Sequence, residues 1–339
     1  MDTRLPLVLA ILAGGTPTAA AADLLIVLNK SDHEAVLVDP VTLKPVARIA
    51  TGRGPHEVAV SPDGRMAYVS NYGVYAVFRE GQRVNEPGNT ISVLDLERRA
   101  VKDTFDLGAY AKPHGIVVSR DGRRLWVTCE DSQAVLELDA ARGGVLKAWK
   151  TAQETSHMIV PSADESKLFV ANIRSGSVTV IERRTDRVTT VVTGPGAEGI
   201  DRSADGREVW VTNRADSSIS VLDAVRDTVV VKLESGGQMP IRVKFTPDGR
   251  EAWVSCGKSD AVTVFDARTR KLVATIPVGA MPVGIQMSPD GQRAFVANTN
   301  DDLVTVFDVA ARKVLGTFTT GNEPDGMAWV PGRNARKAR

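Results

Sequence analysis

The sequence predicts an all-β fold, a seven-bladed β-propeller with four short strands per blade. Three observations predict it. One turn phrase recurs along the chain at near-regular spacing. Each copy is flanked by short runs rich in Val, Ile and Thr, residues that favour strands. The two ends of the chain supply complementary parts of one further copy, so the ring can close.

A repeat architecture spends 339 residues on one closed domain rather than two. Forty-two Lys and Arg against forty-one Asp and Glu leave no global field to recruit nucleic acid or an anionic membrane, so no general nucleic-acid binding is expected. Residues 1–22 read as an export signal: Arg4 gives the positive start, residues 5–13 a short apolar core, and Ala20, Ala21 and Ala22 a small-residue cleavage site. That core is too short to span a bilayer, and no later run is long enough. The mature chain is therefore expected to be periplasmic or secreted, monomeric and without a membrane span. The propeller is expected over residues 23–331, and the basic tail 332–339 is expected to be disordered.

The turn phrase appears as Ser61-Pro62-Asp63-Gly64, Ser119-Arg120-Asp121-Gly122, Ser162-Ala163-Asp164-Glu165, Ser203-Ala204-Asp205-Gly206, Thr246-Pro247-Asp248-Gly249 and Ser288-Pro289-Asp290-Gly291. Pro presets one dihedral, Asp bonds the local backbone, and Gly takes the positive-φ position. The copies lie 41–43 residues apart, except the first two, which an insertion over residues 72–88 separates by 58. An apolar inner strand precedes each turn, as in Val58-Ala59-Val60. A second strand follows it and ends in Val-x-Asn or a variant, as in Val69-Ser70-Asn71 and Val296-Ala297-Asn298. A third strand ends in Asp, as in Val304-Thr305-Val306-Phe307-Asp308, and a fourth follows a short turn. Residues 24–49 supply three strands without an inner one, and residues 324–330 an inner strand with nothing after it. Pairing them completes the ring and removes a free sheet edge.

These residues resemble the YVTN-type β-propeller repeat family over nearly the whole mature chain. The resemblance implies the fold and leaves the activity open, because propellers host many functions.

One position departs from the repeat. Five residues before each turn Ser or Thr, at the start of the inner strand, stand His56, His114, His157, Glu198, Ile241 and Val283, with Asp325 in the closing copy. Three of the chain's four histidines share this slot in successive blades. Inner strands surround the central channel, so equivalent slots point at one axis. His56, His114, His157 and Glu198 are thus candidate ligands of a mononuclear divalent metal, and Asp325 lies next in the arc. The donor set suits zinc, copper, iron or manganese, and an exported location favours zinc or copper. Ile241 and Val283 leave one side open to water or substrate. A polar channel lining or a purely structural metal would use the same residues.

Other residues fall on the same face. Glu57 and Arg242 replace the Gly that usually follows the slot. Glu57 reads as a general base or an orienting carboxylate, and Arg242 as a clamp for a substrate carboxylate or phosphate. Tyr72 opens the aromatic insertion, a candidate lid or pocket wall and a candidate catalytic residue. Lys244 reads as a surface salt-bridge residue and His33 as solvent-facing. Cys129 and Cys256 fall on different sides of the ring and are expected unpaired. No phosphate loop, Ser-His-Asp order or calcium loop is present in the sequence.

The reading that follows is an exported metalloprotein whose central site performs lyase, lactonase, hydrolase or redox chemistry on a small molecule. Its architecture resembles propeller lactonases, lactonising enzymes and streptogramin lyases, but none of their catalytic residues maps onto this chain. The alternative is a binding or accessory propeller: a metal carrier, a scaffold, or a docking partner of a periplasmic redox enzyme.

Overall fold

A computed structural model of the protein describes residues 22–74 and 86–332. Residues 1–21 of the expected export signal, residues 75–85 of the insertion and residues 333–339 of the basic tail lie outside the described residues. Seven four-stranded antiparallel sheets form a ring, a seven-bladed β-propeller as the repeat predicts. Blade 1 is the closing blade. Its inner strand Pro324–Val330 pairs with Leu24–Asn29, placing Leu25 opposite Trp329 and Ile26 opposite Ala328. Blades 2 to 7 begin with the inner strands Pro55–Val60, Pro113–Val118, Ser156–Pro161, Ala197–Arg202, Pro240–Phe245 and Pro282–Met287.

Burial follows radial position. Second strands such as Arg293–Asn298 are buried along almost their whole length, because a neighbouring blade covers each face. Outer strands such as Lys313–Phe318 are largely exposed. Between blades lie separate apolar layers. Trp210 stacks edge-on against Phe245 and Phe265 at one junction, and Trp253 against Phe307 at the next. The two cysteines are buried and unpaired, as expected.

Two devices position the channel mouth. Each inner strand slips register against its second strand at the slot, between Pro113 and Ile116 in blade 3 and between Ser156 and Ile159 in blade 4. Such a bulge frees a residue from the ladder and re-aims its side chain. Hydroxyls of the second strands then pin the slot backbone of the next blade. Ser70 donates to the His114 carbonyl at 2.7 Å, and Ser255 to the Val283 carbonyl at 2.7 Å. The slots are thereby held on rigid strands rather than on loops.

Candidate metal centre

The ring brings the three slot histidines into one cluster. The His114 imidazole lies 4.1 Å from that of His56 and 3.6 Å from that of His157, centroid to centroid. His114 is 1% exposed, and neither of its ring nitrogens has a hydrogen-bond partner among the described residues. Burial holds the His56 imidazole down at about 4 and His114 well below the usual histidine range. At neutral pH both are uncharged, the form that ligates metals.

Carboxylates flank the outer two rings. The Asp325 Oδ2 atom is 3.2 Å from His56 Nδ1, without hydrogen-bond alignment. Glu130 Oε1 is 2.5 Å from His157 Nδ1. Glu198 sits on the other side of the same ring, 3.7 Å from His157 Nε2. His114, Glu130 and His157 offer ligand atoms within 4.8 Å of one another, as do His56, Glu57 and His114. Glu198, an expected ligand, belongs to neither trio, and Arg214 lies 3.1 Å from both of its oxygens.

A second set of residues completes this layer. The position after the second-strand Asn or Cys carries Lys30, Tyr72, Glu130 and Arg214 in blades 1, 2, 3 and 5; in blade 2 the strand, Met66–Gly73, runs on through it. Lys30, fully buried, donates to Asp325 at 2.8 Å. The Tyr72 hydroxyl donates to Glu130 Oε2, and its ring meets His56 and His114 edge-on at 5.4 and 5.6 Å. Burial raises the carboxyls of Asp325 and Glu130, yet Lys30 on the first and His157 with Tyr72 on the second outweigh it, so both sit below the usual range. Burial prevails at Glu198, which sits above that range despite Arg214.

Sequence reasoning missed Lys30 and Glu130. The signal was a shared register: both follow the last residue of a second strand, and Tyr72 follows the equivalent Asn71. At Glu130 it was disguised, because Cys129 stands where most repeats have Asn.

One layer deeper, Glu57, Met158 and Arg242 alternate with glycines around the ring. The glycines are required there. A Cβ on Gly115 would lie 2.6 Å from the His157 carbonyl oxygen, and one on Gly326 2.2 Å from that of His56. The three larger side chains meet across the channel. Arg242 forms an ion pair with Glu57 and contacts the Met158 sulfur at 2.8 Å. Sequence reasoning gave Glu57 and Arg242 separate roles, as base and as substrate clamp; the structure pairs them. Burial still pushes Glu57 up, with Arg242 opposing. Together they form a layer across the channel beneath the histidines, and Arg242 lines the cavity from there.

Above that floor lies an open cavity of about 480 Å³. Its histidine side is polar, and its far side is formed by Met239, Ile241, Met281 and Val283. Tyr72 lines it as expected, but residues 75–85, the candidate lid, lie outside the described residues. Lys244 is a surface residue 3.7 Å from Asp201, as expected. His33 is half-buried rather than solvent-facing, because its Nδ1 accepts from the Gly54 amide at 3.1 Å.

The family model described as Cytochrome D1 heme domain matches residues 130–290, under half of the chain. No curated protein matches the sequence. Among solved structures, Kuenenia stuttgartiensis Hydrazine Synthase is 21% identical with a TM-score of 0.73, covering 89% of this chain and 99% of that one. The Pseudomonas aeruginosa Periplasmic gluconolactonase, PpgL, is also 21% identical with a TM-score of 0.73, covering 91% of this chain and 99% of that one. Dihydro-heme d1 dehydrogenase NirN is 17% identical with a TM-score of 0.67, covering 92% of this chain and 76% of that one. At these identities the likeness is one of fold. Among the described residues no helix is long and apolar enough to cross a membrane.

Proposed function

We propose that this propeller is an exported metalloprotein that binds one divalent ion, zinc or copper, at His56, His114 and His157, with Glu198 beside it, and acts there on a small molecule. The observation that carries the proposal is His114. A buried imidazole with two unpartnered nitrogens costs free energy unless something binds it, and among the described residues two more imidazoles are the rings nearest to it.

The surrounding carboxylates support the same reading. Asp325 and Glu130 face the Nδ1 atoms of His56 and His157, which leaves both Nε2 atoms for an ion. Carboxylates behind ligating imidazoles fix ring orientation and raise basicity. Lys30 and Tyr72 in turn hold those carboxylates ionised and in place. An ion so held would supply Lewis-acid chemistry. Ile241 and Val283 line the cavity and contribute no donor, so an ion held by the histidines would be reachable from it. That open side favours an enzyme over a metal carrier or scaffold. Glu198, held above the usual carboxyl range beside the ligands, is positioned to exchange a proton with a bound molecule.

The cytochrome d1 match raises a tetrapyrrole as the second reading. A tetrapyrrole gives its metal four equatorial nitrogens and leaves two axial places at most. The His114 imidazole lies within 4.1 Å of both of the others, centroid to centroid, so three donors converge on one side of the channel. Three converging imidazoles with carboxylates behind them favour a bare ion, and the absorbance spectrum separates the two readings.

Elemental analysis of the purified protein, after growth with added zinc or copper, tests the proposal. One ion per chain is expected, with none in His114→Ala and no Soret absorbance in either. Metal-free wild type under those conditions, or a Soret band lost with His114, overturns it.

A further inference from the structure

We infer that the cavity takes a monoanionic ligand with an apolar body, a monocarboxylate carrying a hydrocarbon chain, and that Arg174 recognises its charge. The inference rests on the metal reading above and adds the chemical class of the substrate.

Charge balance is the first ground. Four cationic and five acidic side chains line the cavity. Most are already spoken for. Lys112 lies 3.1 Å from Asp131, Arg214 pairs with Glu198, and Arg242 pairs with Glu57. Arg174 is the lining cation for which no carboxylate lies within ion-pair distance among the described residues. One rim acid, Glu154, is likewise unpaired, so the two offset each other. A divalent ion turns the single negative excess into a single positive one, which one anionic group neutralises. Guanidinium is also the side chain best shaped to grip a carboxylate bidentately.

Placement is the second ground. Arg174 follows Ile173, whose buried side chain also lines the cavity, at the mouth of blade 4, directly above the blade that carries His157. Across from it, blades 6 and 7 present Met239, Ile241, Met281 and Val283. The Glu57–Arg242 pair lies beneath. A ligand entering from the mouth therefore meets a cation and an ion on one side and an apolar wall on the other. Flexible methionines suit a wall that adapts to hydrocarbon of varied shape. The size falls within the range of small-molecule pockets.

Calorimetric titration of protein carrying a measured one zinc per chain, with hexanoate, hexan-1-ol and acetate, tests this. Hexanoate is expected to bind. Hexan-1-ol is expected to bind at least about tenfold more weakly, because it offers no charge to Arg174 and the ion. Acetate is expected to bind at least about tenfold more weakly, because it leaves the apolar wall uncovered. Arg174→Gln, an exposed position, is expected to weaken hexanoate by about tenfold or more while zinc stoichiometry and unfolding midpoint stay unchanged. Hexanoate that binds no better than hexan-1-ol, or that ignores Arg174→Gln, overturns the inference and leaves the metal reading intact. Failure to hold zinc at all overturns the metal reading instead. In that case, hexanoate binding to metal-free protein with no loss in Arg174→Gln would overturn the anion site as well.

Discussion

The two ends of each blade obey different rules. At the turn end, six blades repeat one pattern. The Ser or Thr hydroxyl donates to the Asp two residues on at 2.5–2.7 Å, and that Asp accepts a backbone amide at 3.0 Å. At the mouth end, one backbone slot carries five residue types: Asp, His, Glu, Ile and Val. Bulges and inter-blade hydroxyl bonds hold that slot whatever its side chain is. The difference teaches where this fold places its freedom. Turn residues are fixed because each blade needs its own hairpin. Slot residues are released from folding, so sequence variation there can serve a site. It follows that turn substitutions act independently, whereas mouth substitutions are coupled.

The largest effect is expected at the buried pair Lys30–Asp325. Lys30→Met leaves the Asp325 carboxylate buried and uncompensated, which costs about 3–5 kcal/mol. Lys30→Met combined with Asp325→Asn should cost clearly less than the two single changes added together. Urea unfolding of the metal-free proteins measures all three. A double variant whose loss equals the sum would show that the mouth behaves like the turns.

Much of this contrast was legible in the sequence. Six turn phrases and the complementary chain ends gave the seven blades, and the slot placed His56, His114 and His157 together, because the repeat is periodic and the departures stand out. Lys30 and Glu130 were not legible. Each is an ordinary charged residue after a strand, and its meaning comes from a partner on another blade: Asp325, 295 positions away, for one and His157 for the other. The Glu57–Arg242 pair was hidden for the same reason. Its members lie on blades 2 and 6 and meet only because the channel is narrow. Periodicity reveals which position is special. It does not reveal which charges will neutralise one another across a ring.

An intermediate effect is expected with pH in the metal-free protein. His56 is held at about 4 when folded, against about 6.5 when unfolded. Its folded pKa is depressed, so the unfolded chain binds the extra proton between these values. Its contribution to stability is whole above about 6.5 and is lost as pH falls to about 4, a loss of about 3 kcal/mol. Below that window both states are protonated and nothing more is lost. His114 adds in the same direction. Glu57 and Glu198 are raised and carry the opposite sign, so the wild-type profile mixes both. The stability difference between wild type and His56→Gln, measured by urea unfolding at pH 7 and pH 4 with chelator present, isolates the histidine. A difference that does not change with pH would sink this account of the mouth.

The smallest effect is expected at the turns, where additivity is the point. Asp290→Ala removes the acceptor for the Ser288 hydroxyl and for the Gln292 amide. Gln292 is exposed and its amide regains water, and the buried Ser288 hydroxyl keeps the Arg293 carbonyl at 3.1 Å, so the cost is about 1 kcal/mol. Asp63→Ala removes the same two bonds in blade 2 and should cost about the same. The two turns share no hydrogen-bond partner, so the double variant should lose the sum of the two to within about 0.5 kcal/mol. Metal content should not change in any of the three, because the slots are pinned from the opposite end of the inner strands. A strongly non-additive pair, or a turn variant that empties the metal site, would mean that the repeat end also communicates across the ring. The division of labour drawn here, with independent hairpins at one end and one coupled site at the other, would then fail.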